Sequence, residues 1–253
     1  LKNLLVEGLY IESSKGQNTT TSGFIGAQEN SLIQNVHIRN STLFGGRYMG
    51  MLVGVSTRGI VEQCSVTDSV VTDAGVDAAL YAGGMFGQTS HTHVKECYTR
   101  DLSMRITQTN VVNGVGGLIG YAASNTTESC YTHGYIEASG NYVGGITGWI
   151  TTGDGTTMRK CWSYVDILQR SGDYAAGTSA FGDAINFTIA LGNVAGSGPH
   201  TDRVVARIFS TNFGSKVYAY KGQIVGAMTE DEKGNAKGLL SGEELGRADT
   251  WQD

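Results

Sequence analysis

Four cysteines, two aspartates and a short histidine-rich run carry the covalent and acid–base chemistry open to this sequence. Cys64, Cys97, Cys130 and Cys161 suffice for two disulfides or one tetrahedral zinc site. Asp68 and Asp101 stand four residues after Cys64 and Cys97. On adjacent strands such carboxylates lie about 5 Å apart, the separation a retaining glycosidase uses for its nucleophile and its acid. His91 and His93, with Glu96 and Cys97, form a metal-binding cluster on paper. Tyr98, Tyr131 and Trp162 each follow a cysteine directly, and a row of aromatic rings can stack sugars or bury against a neighbouring domain.

The elements that must position these residues are legible in their spacing. The cysteines are 33, 33 and 31 residues apart, Leu4 and Val36 take the same slot upstream, and Thr188 takes it downstream. Self-similarity at such a period means stacked supersecondary units. Three residues before the slot stand Leu1, Ile33, Val61, Val94, Thr127, Met158 and Ile185, and two after it Val6, Ile38, Val66, Thr99, Thr132, Ser163 and Ala190. These columns and the slot read as the inward face of a six-position strand with clean alternation. Polar columns lie between them. In one of these, Glu62, Lys95, Glu128 and Arg159 alternate in sign, which predicts cross-coil ion pairs.

A second element recurs halfway through each unit, as in Gly84-Met85-Phe86-Gly87 and Gly117-Leu118-Ile119-Gly120. Glycine at both ends of a short apolar strand marks tight corners, through positive φ or close backbone approach. The predicted fold is all-β: a right-handed parallel β-helix (β-solenoid) of about six to seven coils. Residues 196–253 fall out of register and read as a divergent C-terminal cap or as the joint to a next domain. It has a closing strand at Lys216–Tyr220, a charged stretch at Thr229–Lys237, and a capping box at Ser241–Glu244 that opens a short helix.

In this architecture the chemistry contracts. A linear column of inward thiols offers no tetrahedral convergence for zinc and behaves as a ladder of small hydrophobes, although stacked neighbours are within disulfide reach. The column holding Asp68 and Asp101 otherwise contains Gly8, Asn40, Gly134 and Gly192. Gly, Asn and Asp together are the signature of a left-handed corner, and this accounts for the aspartates without catalysis. His93 and Glu96 flank an inward valine while Cys97 points inside, so a solvated turn fits better than a metal site. No His-Glu-x-x-His and no Gly-x-Ser-x-Gly occurs. The aromatic column of Tyr98, Tyr131 and Trp162 faces outward. It serves either as cross-coil packing or as a binding ladder.

The composition narrows the partners. A net charge of −5 gives no basic footprint for nucleic acid. No apolar run is long enough to span a bilayer and no signal peptide is visible. With 37 glycines but one proline, the chain is neither linker nor collagen. It begins at Leu1, inside a repeat strand, and is expected to be a segment of a longer protein with any export signal upstream.

Gly116-Gly117-Leu118-Ile119-Gly120 resembles the GLUG motif. The strand Glu128-Ser129-Cys130-Tyr131-Thr132-His133-Gly134-Tyr135-Ile136 resembles that family's companion strand. The resemblance spans roughly residues 1–195 and departs at the degenerate copy near Ser179–Gly182 and at residues 196–215, where the register is lost. GLUG repeats occur in secreted bacterial surface proteins, adhesins among them. They also occur in the non-catalytic β-helical region of M26-type immunoglobulin A1 metalloproteases, whose solenoids end in a strand and a short helix with a tryptophan, here Trp251. The resemblance implies a secreted or surface-attached, non-catalytic module without a cofactor, which contacts adjoining domains of its parent chain and a host glycan or glycoprotein. The alternative is a carbohydrate-active β-helix enzyme that uses Asp68 and Asp101 on a polysaccharide.

Overall fold

Three parallel sheets run the length of the molecule. A computed structural model describes residues 1–13, 21–73, 80–107, 113–151, 155–182, 185–207, 216–226, 235–236 and 238–245. Sheet A has sixteen strands and sheets B and C have seven each. The chain passes from A to B to C and returns to A one coil further on. One such circuit is Tyr98–Ile106 in A, Gly114–Gly116 in B, Ile119–Ala123 in C, then Thr126–Glu128 and Tyr131–Ser139 back in A. This is the parallel β-solenoid that the repeat predicts.

Register confirms the columns. Leu4 lies opposite Val36. Lys95 pairs with Glu62 and Glu128, and Tyr98 with Ser65 and Tyr131, which stacks Cys64, Cys97 and Cys130 between them. Cys161 lies opposite Thr188, and Thr188 opposite Val217. All four cysteines are free and buried. Leu1, at the open end of the first coil, is the exception among the inward columns and is exposed.

The expected unbroken alternation in sheet A is corrected. Val61 and Cys64, and likewise Val94 and Cys97, are three residues apart yet fully buried, whereas strict alternation would send them to opposite faces. The residue before the slot resolves this. Asn3, Asn35, Gln63, Glu96, Ser129, Lys160 and Phe187 all have φ between 48° and 55°. One left-handed residue turns the chain and resets the alternation. The slot residue then closes the corner. The thiols of Cys64, Cys97, Cys130 and Cys161 donate to the carbonyl two residues earlier at 3.1–3.3 Å. Thr188 does the same with its hydroxyl at 2.9 Å. Cysteine therefore supplies small volume and a weak donor together. The next corner uses serine. Asn40 and Asp68 have φ of 51° and 50°, and Ser41 and Ser69 donate to the Arg39 and Thr67 carbonyls at 2.8 and 2.7 Å.

The alternating charge column is also corrected in part. Arg159 and Glu128 pair at 2.9 Å, but Lys95 turns to its neighbour Glu96 at 3.3 Å. A long flexible amine takes whichever carboxylate is nearer.

Between sheets B and C the glycines serve close approach. A Cβ on Gly83 would stand 2.0 Å from the Phe86 carbonyl oxygen, and one on Gly116 would stand 2.1 Å from that of Ile119. No side chain fits there.

Parallel pairing continues beyond residue 195, where the sequence loses its register. His200–Asp202 adds to sheet B, Val205–Arg207 to sheet C, and Val217–Tyr220 and Gly238–Leu240 to sheet A. Fully buried Arg203 fastens this end by donating to the Gln223 carbonyl at 2.8 Å. Asp202 accepts the Val204 and Asn235 amides at 3.1 and 3.0 Å. Before the helix Gly242–Leu245, the Ser241 amide donates to Glu244 Oε2 at 2.8 Å and the Glu244 amide donates to Ser241 Oγ at 3.3 Å. That reciprocal pair is the capping box. Trp251 and most of Thr229–Lys237 lie outside the described residues. Among those residues no helix is long and apolar enough to cross a membrane.

Candidate functional site

The outward position after the cysteine slot builds the aromatic ladder. In-register parallel strands bring identical columns to about 4.8 Å along the stack, which is close to ring-stacking distance. Tyr98 and Tyr131 stack at 4.6 Å with 5° between their planes, and Tyr131 and Trp162 at 4.5 Å with 3°. Burial, then the adjacent Tyr98 phenol, pushes the Tyr131 phenol up. Such pairs contribute about 0.5–1.5 kcal/mol each beyond their buried area. The geometry has a functional consequence. Rings stacked this way cover one another's faces, so the ladder shows solvent mainly its edges.

Free ring surface lies at the ladder's last rung, Trp162, and beside it. At the sixth coil sheet A loses one of its corners: Thr157–Ser171 is a single strand of fifteen residues, turned only at Lys160, where φ is 54°. Val165 sits where other coils place Gly, Asn or Asp, so the corner is lost. On this strand and its neighbour Tyr131–Ser139, Trp162 is opposite Tyr131, Tyr164 opposite His133, and Asp166 opposite Tyr135. Tyr135, Trp162 and Tyr164 are 40%, 40% and 51% exposed. Tyr164 meets the His133 ring at 5.3 Å, tilted by 55°.

Asp68 and Asp101 occupy the expected corner, with φ of 50° and 52°. Asp101 belongs to an irregular step in which it and Arg100 oppose His133 alone. Its carboxylate lies 3.0 Å from His133 Nδ1 and 3.5 Å from Arg100 Nε. The Asp68 amide donates to the Arg100 carbonyl at 3.0 Å. As a pair they are continued in the following coils by Gly134 and Val165, which bring no further acid or base.

Two arrangements escape the sequence reading. Tyr48, Tyr81, Tyr142 and Tyr174 share one column of sheet B, and Tyr121, Trp149 and Phe181 share one of sheet C. The columns interlock along the B–C bend, with Tyr81 on Tyr121 at 4.6 Å and Trp149 edge-on to Tyr121 at 5.4 Å. Burial, with the neighbouring phenols, pushes the Tyr81 hydroxyl up to about 12. The available signal was a tyrosine two residues before Gly50, Gly83 and Gly144. These rings are buried or half-buried and act as packing.

The second arrangement is a polar chain across the first three coils. Ser65 Oγ lies 2.8 Å from His37 Nδ1, His37 Nε2 2.8 Å from Asn35 Oδ1, and Asn35 donates to Asn3 at 2.8 Å. The order resembles a nucleophile, its base and an orienting amide. Ser65, however, is only 2% exposed, which leaves no approach for a carbonyl substrate.

His93 faces Glu128 at 4.0 Å, Glu96 faces Lys95, and Cys97 is fully buried, so the paper cluster does not converge. Among the described residues no three or more His, Cys, Asp or Glu side chains are grouped to hold a metal ion. No protein-family model matches the chain, and no curated protein matches it.

Proposed function

We propose that this solenoid is a non-catalytic recognition and positioning module of a larger exported bacterial protein. It would serve as a GLUG-type surface adhesin or as the β-helical arm of an M26-like protease, and its ligand is a host glycan or glycoprotein. One observation carries the reading. Of the four exposed aromatic residues among those described, Tyr135, Trp162 and Tyr164 sit together on two adjacent strands. Exposed aromatic clusters mark binding surfaces, and rings beside polar side chains such as His133 and Asp101 suit the mixed apolar and hydroxyl character of a sugar. The stacked coils supply a stiff support, which holds the face in place without an induced fit.

A glycan array with the wild-type chain and the Trp162→Ala/Tyr164→Ala double variant tests this. The expected result is retention of specific glycans by the wild type, lost in the variant, with unfolding destabilised by no more than the roughly 0.5–1.5 kcal/mol of the lost Trp162–Tyr131 stack. The alternative, a polysaccharide-cleaving β-helix built on Asp68 and Asp101, makes the opposite forecast. Glycan release that disappears in Asp68→Asn would overturn the non-catalytic reading.

A further inference from the structure

The same outward face continues into a charged arrangement. Arg105 is in register with Glu137, and Arg170 reaches the same carboxylate from the next coil. Arg170 Nε lies 3.1 Å from Glu137 Oε1, and Arg105 Nε 3.8 Å from Oε2. Two guanidiniums, 57% and 68% exposed, thus share a carboxylate that is only 16% exposed. Arg170 gets there through a register break: Ala138 pairs with Gln169 but Ser139 with Ser171, so Arg170 is the extra residue of a bulge. Bulges re-aim side chains and recur beside functional sites.

Each guanidinium has five N–H donors, and one carboxylate cannot engage both sets. The pair also keeps one positive charge that Glu137 does not balance, on a chain whose net charge is −5. Of the neighbouring carboxylates, Asp166 accepts the Asn193 amide at 2.8 Å and Asp73 accepts that of Thr107 at 2.7 Å. Tyr135 stands two residues before Glu137, on the same side of the strand, and is 40% exposed.

We infer that Arg105 and Arg170, held by Glu137, form with Tyr135 a subsite for a carboxylate-bearing sugar in a glycan chain. This rests on the recognition reading above and names its ligand class. The sugar's C–H face lies on Tyr135, and its carboxylate bridges the two guanidiniums in the bidentate manner that suits arginine. One aromatic ring beside one cationic pair matches a uronate, a sugar ring that bears a carboxylate. A polyanion without ring faces would use the arginines alone.

Calorimetric titration with hyaluronan, carboxyl-reduced hyaluronan and polyglutamate tests the assignment. It uses the wild type, Arg105→Gln/Arg170→Gln and Tyr135→Ala, each checked for unchanged thermal unfolding. The wild type is expected to prefer hyaluronan over its reduced form by about tenfold or more. The arginine variant is expected to bind both at the weaker level, and Tyr135→Ala to weaken both. Equal wild-type affinity for the two polymers, with binding lost in the Trp162→Ala/Tyr164→Ala variant titrated alongside, would overturn the carboxylate subsite and leave glycan recognition standing. Polyglutamate bound as tightly as hyaluronan would overturn the sugar assignment in favour of an acidic peptide. A chain that binds neither polymer and nothing on the glycan array would defeat both readings.

Discussion

Replacing Gly83 by alanine tests the reason sheets B and C can meet at all. The new Cβ would lie 2.0 Å from the Phe86 carbonyl oxygen, 2.7 Å from that of Leu118 and 2.8 Å from the Gly120 nitrogen. All three are backbone atoms, so no rotamer change relieves the overlap. The Leu118 carbonyl is also the acceptor for the Met85 and Phe86 amides at 3.0 and 2.9 Å. Moving it disturbs both bonds, at about 1 kcal/mol each. Crowding in a packed interior adds about 1–3 kcal/mol. The expected loss is therefore about 3–5 kcal/mol in urea denaturation, with faster hydrogen exchange at Met85 and Phe86. Gly155→Ala is the control. No atom lies within 4 Å of its added Cβ, and its φ of +83° leaves only a conformational cost of about 1–2 kcal/mol. A Gly83→Ala loss no larger than that of Gly155→Ala would refute the close-approach argument.

Burial raises the Asp202 carboxyl from 3.8 to about 6, against the amides of Val204 and Asn235 that favour its charge. The native state thus holds this proton more tightly than the unfolded chain. The resulting stabilisation is complete below about pH 4 and disappears as pH rises through about 6, roughly 3 kcal/mol in all. Asp202→Asn should flatten that window in paired denaturation curves, and a wild-type-to-variant difference independent of pH would contradict it. At the left-handed corner of the fifth coil, where Ser129 has φ of 54°, Ser129→Asn should raise stability by up to about 1 kcal/mol, since Asn tolerates this region. Ser129→Val should lower it by about 1–3 kcal/mol. Equal melting temperatures for the two variants would disprove the corner's energetic role.

The solenoid was legible because stacking gives every coil the same environment at the same column. Leu4, Val36, Cys64 and Thr188 differ in chemistry but fill one inward slot, so the column survives substitution and the period shows through. The left-handed corner before it was hidden for the opposite reason. Asn35, Gln63, Glu96 and Lys160 are polar but differ in size and charge, and Phe187 is apolar; what all of them share is the absence of a branched Cβ, and lacking a branch is not a pattern a period search detects. The lost register after residue 195 has a similar cause. Sheet pairing is carried by the backbone, and His200–Asp202 and Val205–Arg207 pair without repeating the glycine motif.

The recognition proposed for this face depends on a property finer than register. The sequence placed Tyr98, Tyr131 and Trp162 in one outward column, and they are there. Outward position does not by itself expose a ring face, because at the spacing of stacked coils a continuous aromatic column closes on itself. A ring stays open to a ligand only where its column is interrupted. Tyr164 follows a histidine tilted away from it, and Tyr135 lies between Ser103 and Asp166, which offer no ring to stack on. The arginines obey the same logic, since it is a bulge that frees Arg170 from the ladder and turns it toward Glu137. On a repetitive scaffold, recognition is therefore to be sought where the repeat breaks. The regular columns hold the fold together, and the defects in them leave groups uncovered.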